Sequence, residues 1–161
     1  MAEVGIGLRR LRGWALAGCV LVLAACASPE SPLLKDIQSL ESQAFEGDSL
    51  RPDVRRALMV KYADFARLEG DHPFVPEGLF RRADLLVSAG KFDHAILQLQ
   101  DVHDGYPAFD KRPLCAFLVA FIYDEHLKDK ELARRSYERV MALHPDTPEA
   151  ILAQQSLALV P

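Results

Sequence analysis

The side chains of this sequence that could carry chemistry are few, and three cysteines and five histidines stand out among its 161 residues. No two histidines have the H-x-x-x-H spacing that brings both rings to one helix face, and no cysteine joins a histidine in a metal-ligand pattern. Asp124 and Glu125 are adjacent, so on a helix they point in different directions and are poorly placed as an acid–base pair. No phosphate-binding glycine loop and no nucleophile elbow is present. The sequence therefore predicts a protein that is not an enzyme and that uses no metal or cofactor.

Cys26 is the residue whose position suggests a covalent role. Three arginines lie within residues 9–12, and an uncharged apolar run follows over residues 14–25. That run is shorter than the roughly 20 apolar residues that a membrane-spanning helix needs, and its order of charged start, apolar middle and small end is typical of a secretory signal. Leu-Ala-Ala at residues 23–25 stands directly before Cys26, which resembles the lipobox of bacterial lipoproteins.

The lipobox resemblance implies a division of the N-terminal segment. Residues 1–25 would be removed as a lipoprotein signal peptide, and Cys26 would become the acylated first residue, because several acyl chains give stable anchoring. Residues 26–32 would form a short lipidated tether that lacks the Asp retaining many lipoproteins in the inner membrane, so the resemblance implies the periplasmic face of the outer membrane. A plain secreted protein or a non-specific apolar N-terminus is the alternative. The residues around Arg9-Arg10 do not support a twin-arginine signal.

The charge of the chain argues against one class of partner. Its formal net charge is −4, and the segment over residues 1–25 carries more Arg than Glu, so the remainder is more acidic still. Nucleic-acid binding is not expected, since phosphates require a basic patch. Cys115 stands in the apolar stretch Leu114-Cys115-Ala116-Phe117, which favours a small core residue over a reactive thiol.

Apolar residues recur at helical spacing throughout residues 33–158, and no stretch alternates as a strand would. The pattern predicts an all-α domain of seven short helices with brief breaks. Pro52 marks a helix start, Gly90 a helix end, and Thr147-Pro148 an N-cap followed by the first helical position.

Three predicted helices end at a histidine or tyrosine that is followed directly by proline, and these pairs recur at regular intervals. Pro73 and Pro107 lie 34 residues apart, and Pro107 and Pro145 lie 38 apart. A period of 34 is that of tetratricopeptide (TPR) repeats. The small and large positions also match that pattern, at Leu79, Ala83, Leu86, Gly90, Phe92, Ala95, Leu99 and Pro107, and again at Ala133, Tyr137 and Pro145. The later pair has one additional residue between Ala120 and Ala133, and Lys128 stands where the pattern has glycine.

The stretches GKFDHAILQLQDVHDGYP and KDKELARRSYERVMALHP carry the resemblance to TPR lipoproteins of bacterial envelopes. That family includes the longer helical-repeat subunit of the outer-membrane β-barrel assembly machine. The resemblance implies a right-handed solenoid of about three TPR-like helical hairpins plus a C-terminal capping helix. In such a fold Ala83 and Ala95 are small so that the paired helices can approach closely. A generic helical bundle is the alternative.

In the TPR family the first helix of each pair lines a concave face where partner peptides lie. The register places nine residues on that face, a mixture of apolar and acidic side chains that suits a peptide with some positive charge: Glu77, Phe80, Asp84, Val87, Ser88, Phe117, Phe121, Asp124 and Glu125. Phe117 and Phe121 fit a core position equally well.

Two functions follow as hypotheses. One is a membrane-anchored interaction module, an adaptor or scaffold for other envelope proteins or peptides, held to the membrane by the lipid on Cys26. The other is an architectural subunit of a larger outer-membrane assembly complex, with no peptide ligand. The side chains of Ile151, Leu152 and Leu157 distinguish them, because burial of all three would indicate a self-contained array and exposure would indicate a covering subunit.

Overall fold

A computed structural model of the chain describes residues 31–44 and 50–160, and every regular element in these ranges is helical. The prediction of an all-α fold is confirmed for this part of the chain. Residues 1–25 and Cys26 lie outside the described residues. The helices are α1 (Pro32–Ala44), α2 (Pro52–Leu68), α3 (Val75–Ser88), α4 (Phe92–Gly105), α5 (Arg112–Phe121), a π-helical turn (Ile122–His126), α6 (Lys130–Leu143) and α7 (Pro148–Leu157).

Several helices begin where the sequence predicts them to begin. Pro52 and Pro148 occupy the first turn, where the missing N–H leaves no hydrogen bond unmade. The hydroxyl of Thr147 accepts a hydrogen bond from the Ala150 N–H at 3.3 Å, so Thr147 is the N-cap of α7. The predicted cap and proline pair is therefore confirmed.

Gly90 ends α3 through a left-handed backbone conformation, with a φ of 70°. The Gly90 N–H donates to the Val87 carbonyl at 2.9 Å, and the Lys91 N–H donates to the Leu86 carbonyl at 2.9 Å. These two bonds form a Schellman motif, which satisfies carbonyls that the helix leaves free. The chain can then turn at once into α4.

Each helix packs against the helices before and after it in the chain, and α5 also contacts α7. The close approach depends on small residues at the contacts. Ala83 on α3, Ala95 on α4, Ala120 on α5 and Ala133 on α6 all have no exposed surface. Ala83 and Ala95 are thus packing residues, as the sequence predicts.

The additional residue between Ala120 and Ala133 is taken up by the π-helical turn. Within it the Leu127 N–H donates to the Ile122 carbonyl at 3.0 Å, which is a bond across five residues instead of four. Lys128 follows with a φ of 56°. Lys128 therefore has the left-handed conformation that Gly90 has at the end of α3.

The buried side chains form two hydrophobic clusters. The larger is contributed by α1 to α5, and the smaller joins α5, α6 and α7. Phe65, Leu99 and Tyr137, one from the second helix of each successive pair, are among the most completely buried side chains. Helix α7 buries Ala150 and contributes Ala153 to the smaller cluster.

Candidate functional site

A groove of about 550 Å³ lies between α1, α2, α3 and α5. Its described lining is mostly apolar, with acidic groups and one arginine at the sides. The lining residues are Glu41, Ala44, Leu50, Leu58, Tyr62, Phe80, Arg81, Asp84, Leu85 and Leu118. Two of the residues that the sequence places on the concave face, Phe80 and Asp84, belong to this groove.

Phe80 is half-buried on α3 and contributes one aromatic edge of the groove. Its ring centroid lies 6.2 Å from that of Phe109, in a tilted arrangement. The Lys111 Nζ lies 5.2 Å from the Phe80 centroid, which is within cation–π range. Phe80 is held in place by the α4–α5 connection, while part of the ring remains open to the groove.

Asp84 stands one helical turn after Phe80, on the same face of α3. Its side chain is exposed, and no described residue is recorded as its hydrogen-bond or ion-pair partner. An exposed carboxylate beside an apolar groove can bind a cation from outside at little desolvation cost. Asp84 is therefore the groove carboxylate that is open to a partner.

The other charged groups of the groove, Glu41 and Arg81, are paired with each other and linked to Glu77 and Lys111 beside the groove. Arg81 donates to Glu77 at 2.8 Å and to Glu41 at 2.6 Å, and Lys111 donates to Glu77 at 2.7 Å. Burial alone would raise the pKa of Glu77, but its hydrogen bonds from Lys111 and Arg81 hold that pKa below its ordinary value. The Tyr62 hydroxyl donates to the Glu41 carboxylate, and burial first, then Glu41, raises the pKa of Tyr62. Near neutral pH Glu77 is therefore ionised and the Tyr62 hydroxyl keeps its proton.

Helix α5 contributes Leu118 to the groove, and the phenylalanines predicted from α5 lie elsewhere. Phe117 is half-buried and packs on Tyr137, with the ring centroids 5.8 Å apart. Phe121 is 38% exposed and stacks on Phe117 at 6.4 Å. Of the two readings of Phe117, the core position fits its surroundings.

The expected exposure of Asp124 needs correction. Asp124 is only 7% exposed, and its Oδ1 lies 2.5 Å from the Lys130 Nζ. The Tyr137 hydroxyl donates to Oδ2 at 3.4 Å. The π-helical turn directs this side chain towards α6, whereas an unbroken α-helix would have continued the face of Phe121. Glu125, its neighbour, is exposed and pairs with Lys128, which follows the turn.

Val87 and Ser88 lie at the end of α3, outside the described groove lining. Val87 is half-buried and packs against the larger hydrophobic cluster. The Ser88 hydroxyl donates to the Leu85 carbonyl at 2.9 Å, and the Ser88 carbonyl accepts from Arg55 at 3.0 Å. Both residues thus serve the local structure of the helix end.

The sequence gives little indication of the remaining groove residues. Tyr62 lies on α2 and Glu41 lies on α1, and neither is among the positions that match the repeat pattern. Neither is near Arg81 in the chain, yet all three meet at one wall. A reach of 40 residues between Glu41 and Arg81 is visible only in the folded chain.

Cys115 is completely buried on α5, which confirms its interpretation as a core residue. Burial raises the pKa of its thiol to about 12. At neutral pH the group is therefore a thiol and a poor nucleophile.

Within residues 31–44 and 50–160, no three His, Cys, Asp or Glu side chains are grouped so that they could hold a metal ion. No helix of the described chain has both the length and the apolar character to cross a bilayer.

Comparison with known proteins leaves the family open. No protein-family model matches the sequence, and no curated protein matches it either.

Proposed function

We propose that this protein is a membrane-anchored, TPR-like module for protein–protein interaction in the bacterial cell envelope. The observation that carries the proposal is the groove of about 550 Å³, which combines apolar walls, the aromatic edge of Phe80 and the exposed carboxylate of Asp84. Grooves of this kind between helices accept peptide segments by their apolar side chains.

The TPR-like arrangement is supported by the packing of equivalent positions. The alanine pairs Ala83–Ala95 and Ala120–Ala133 are all fully buried, and consecutive helices pack along the chain. The left-handed residues Gly90 and Lys128 close the first helix of two successive pairs. Repeats that contact chiefly their neighbours would give these features.

The chemistry of the groove selects a class of partner. Leucine and tyrosine side chains favour an apolar segment, and Asp84 favours a Lys or Arg within it. Arg81 is already paired with Glu77 and Glu41, so it does not neutralise Asp84. A basic residue of the partner can therefore pair with the Asp84 carboxylate. The partner segment is thus apolar with at least one basic residue.

Photo-crosslinking in the native envelope tests this function. A photoreactive benzoylphenylalanine placed at Leu50 of the full chain, which lines the groove and leaves Asp84 in place, should give one predominant adduct, which mass spectrometry identifies. The control places it at Leu97 on α4, which is 60% exposed and absent from the described groove lining. Equal adducts at both positions would contradict a groove partner.

The identified partner then allows a quantitative test of charge. Asp84→Lys should weaken binding by about tenfold or more, since a like charge replaces the complementary one. Glu138→Lys makes the same charge change at an exposed position on α6 and should leave affinity unchanged. The same loss of affinity in both variants would show that the net charge of the protein, and not the position of Asp84, causes the effect.

An architectural role is the second candidate, and the outer face of α7 favours it. Ile151 is 58% exposed and Leu152 is 46% exposed, whereas Leu157 packs on the smaller hydrophobic cluster. Replacing both exposed residues by serine should keep the fold and remove the chain from its complex. If Asp84→Lys leaves that complex intact and the double variant does not, the architectural function is supported instead.

A further inference from the structure

Two histidine rings from different helix pairs are directly hydrogen-bonded. His103 lies in the last turn of α4 and is only 6% exposed. His144 is the C-cap residue of α6. Their Nε2 atoms are 2.9 Å apart, and the rings meet edge to face with centroids 5.2 Å apart. The contact joins two segments that are 41 residues apart in the chain.

Charged groups surround His103 on several sides. Its Nδ1 lies 2.5 Å from Oδ1 of Asp104, so this nitrogen carries a proton and donates it to the carboxylate. Arg139 on α6 lies 3.9 Å from the same carboxylate. From α5, Arg112 donates to the His103 backbone carbonyl at 2.7 Å. One nitrogen of His103 is thus committed, and only Nε2 can respond to His144.

His144 faces a different balance of charge. Burial first, then the positive fields of His103 and Arg112, lower the pKa of His144, and Glu149 on α7 opposes them. The surroundings of this ring therefore disfavour its cationic form.

Proton counting limits the charge that the pair can hold. A hydrogen bond between two Nε2 atoms needs one N–H and one lone pair. With both rings neutral, His144 donates to His103. With one proton added, a cationic ring donates to a neutral one and the bond persists. With two protons added, both Nε2 atoms carry hydrogen, the bond is lost, and two cations face each other at 2.9 Å.

We propose that the His103–His144 hydrogen bond is an acid-sensitive contact that holds the C-terminal end of α6 to α4 and opens when the second ring takes up a proton. The second proton is the one that breaks the contact, because the first leaves one N–H and one lone pair on the facing Nε2 atoms. The inference is independent of the function proposed for the groove, which lies on other helices.

Opening would expose the interior beside the pair. A small cavity of about 40 Å³ lies there between α4, α5 and α6. His103, Asp104, Arg139 and the buried Cys115 are among the residues that line it. Since Cys115 has no exposed surface in the closed form, access to its thiol reports the opening.

The direction of the pH effect follows from the lowered pKa of His144. Its contribution to stability is fully present above the ordinary histidine value of about 6.5 and is lost as pH falls through the lower folded-state pKa. The contact is therefore closed near neutral pH and opens in mild acid.

The rate of Cys115 modification by 4,4′-dithiodipyridine tests the proposal in the full chain. Mass spectrometry of the Cys115 peptide separates this thiol from Cys19 and Cys26. Each rate is divided by the rate of the urea-denatured chain at the same pH. This ratio should rise by about tenfold for each unit of pH below the ordinary histidine pKa, until the folded-state pKa is reached.

Two variants distinguish opening of the His103–His144 contact from general effects of acid on the protein. In His144→Gln the side-chain amide can accept from or donate to His103 Nε2 in either charge state, so the ratio should stay constant within about twofold. His94→Gln removes an exposed histidine of α4 and should keep the full rise. A parent without the rise, or His144→Gln with the same rise, overturns the proposal.

A measurement without mutation remains decisive if His144→Gln does not fold. Ring nitrogen NMR of the parent should show one proton on the two Nε2 atoms near neutral pH and two in mild acid, the second being taken up only below the ordinary histidine pKa of about 6.5. Uptake of the second proton at or above that value would overturn the acid-sensitive contact.

Discussion

Gly90 and Lys128 occupy the same left-handed backbone position, each two residues before the helix that follows. Their φ angles are 70° and 56°. A Cβ atom built at Gly90 meets no other atom within 4 Å, so the backbone angle alone favours glycine there. Lys128 accepts the same angle with a side chain, which costs about 1–2 kcal/mol.

Opposite effects are expected from exchanging side chains at these two positions. Gly90→Ala should lower the free energy of unfolding by about 1 kcal/mol, because alanine disfavours the left-handed region. Lys128→Gly should raise the free energy of unfolding by about 0.5–1 kcal/mol. Glycine removes the cost of the left-handed backbone angle, and the greater entropy of glycine in the unfolded chain offsets part of that gain. The exposed ion pair of Lys128 with Glu125 contributes little. Urea denaturation followed by circular dichroism measures both.

Gly105→Ala is the matched control for Gly90→Ala. Gly105 is the last residue of α4, has no left-handed angle, and leaves open space for a Cβ atom. Alanine should therefore stabilise here by about 0.5–1 kcal/mol. A loss of stability at both glycines would show that the backbone angle is not the cause.

The buried alanines between α3 and α4 should resist enlargement. Ala83→Leu or Ala95→Leu should each lower the free energy of unfolding by about 1–3 kcal/mol, because both side chains are completely buried where the two helices meet. Ala142→Leu, at an exposed position on α6, should change stability by less than about 0.5 kcal/mol. Unchanged melting curves for both core variants would contradict the close approach of the two helices.

Asp124 should matter for stability through Lys130 and Tyr137. Asp124→Asn removes the charge that both groups contact and should cost about 1–2 kcal/mol, a figure reduced because Lys130 is partly exposed. Glu125→Gln, the neighbouring exposed change, should cost less than about 0.5 kcal/mol. Equal losses of stability in the two variants would show that the buried contacts of Asp124 do not stabilise the fold.

Membrane attachment should depend on Cys26. Cys26→Ser removes the thiol that the lipobox resemblance assigns to acylation, so the chain should leave the membrane fraction or remain unprocessed. Cys19→Ser, within the same N-terminal segment, should fractionate as the parent does. Membrane retention and normal processing of Cys26→Ser would contradict lipidation at this residue.

The helices and their small contact residues could be predicted from the sequence, because both depend on local spacing. Helical periodicity marks each element, and Thr147-Pro148 and Gly90 mark ends through caps that act within a few residues. Ala83 and Ala95 follow from a repeat pattern that reflects the same contact in each pair.

The candidate site was harder to predict because it depends on distant contacts and on one irregular turn. The additional residue before Ala133 is visible in the sequence, but its uptake at Ile122–His126 is not, and that turn decides the direction of Asp124. The meeting of His103 with His144 has no local signal, since the repeat pattern around each residue does not indicate a contact across 41 residues. Long-range pairs of this kind arise only when the packing of whole helices is known.

The π-helical turn also bears on how related chains can differ in length. One additional residue in an α-helix normally rotates everything after it by about 100°, which would carry the next contact face away from its partner. Here the change is confined between Ala120 and Ala133, and both alanines keep their buried places. Natural one-residue insertions and deletions should therefore collect in residues 122–128. If the two helix pairs are aligned without a gap, equivalent positions will be out of register by one residue after that segment. A one-residue gap placed there brings α6 back into register.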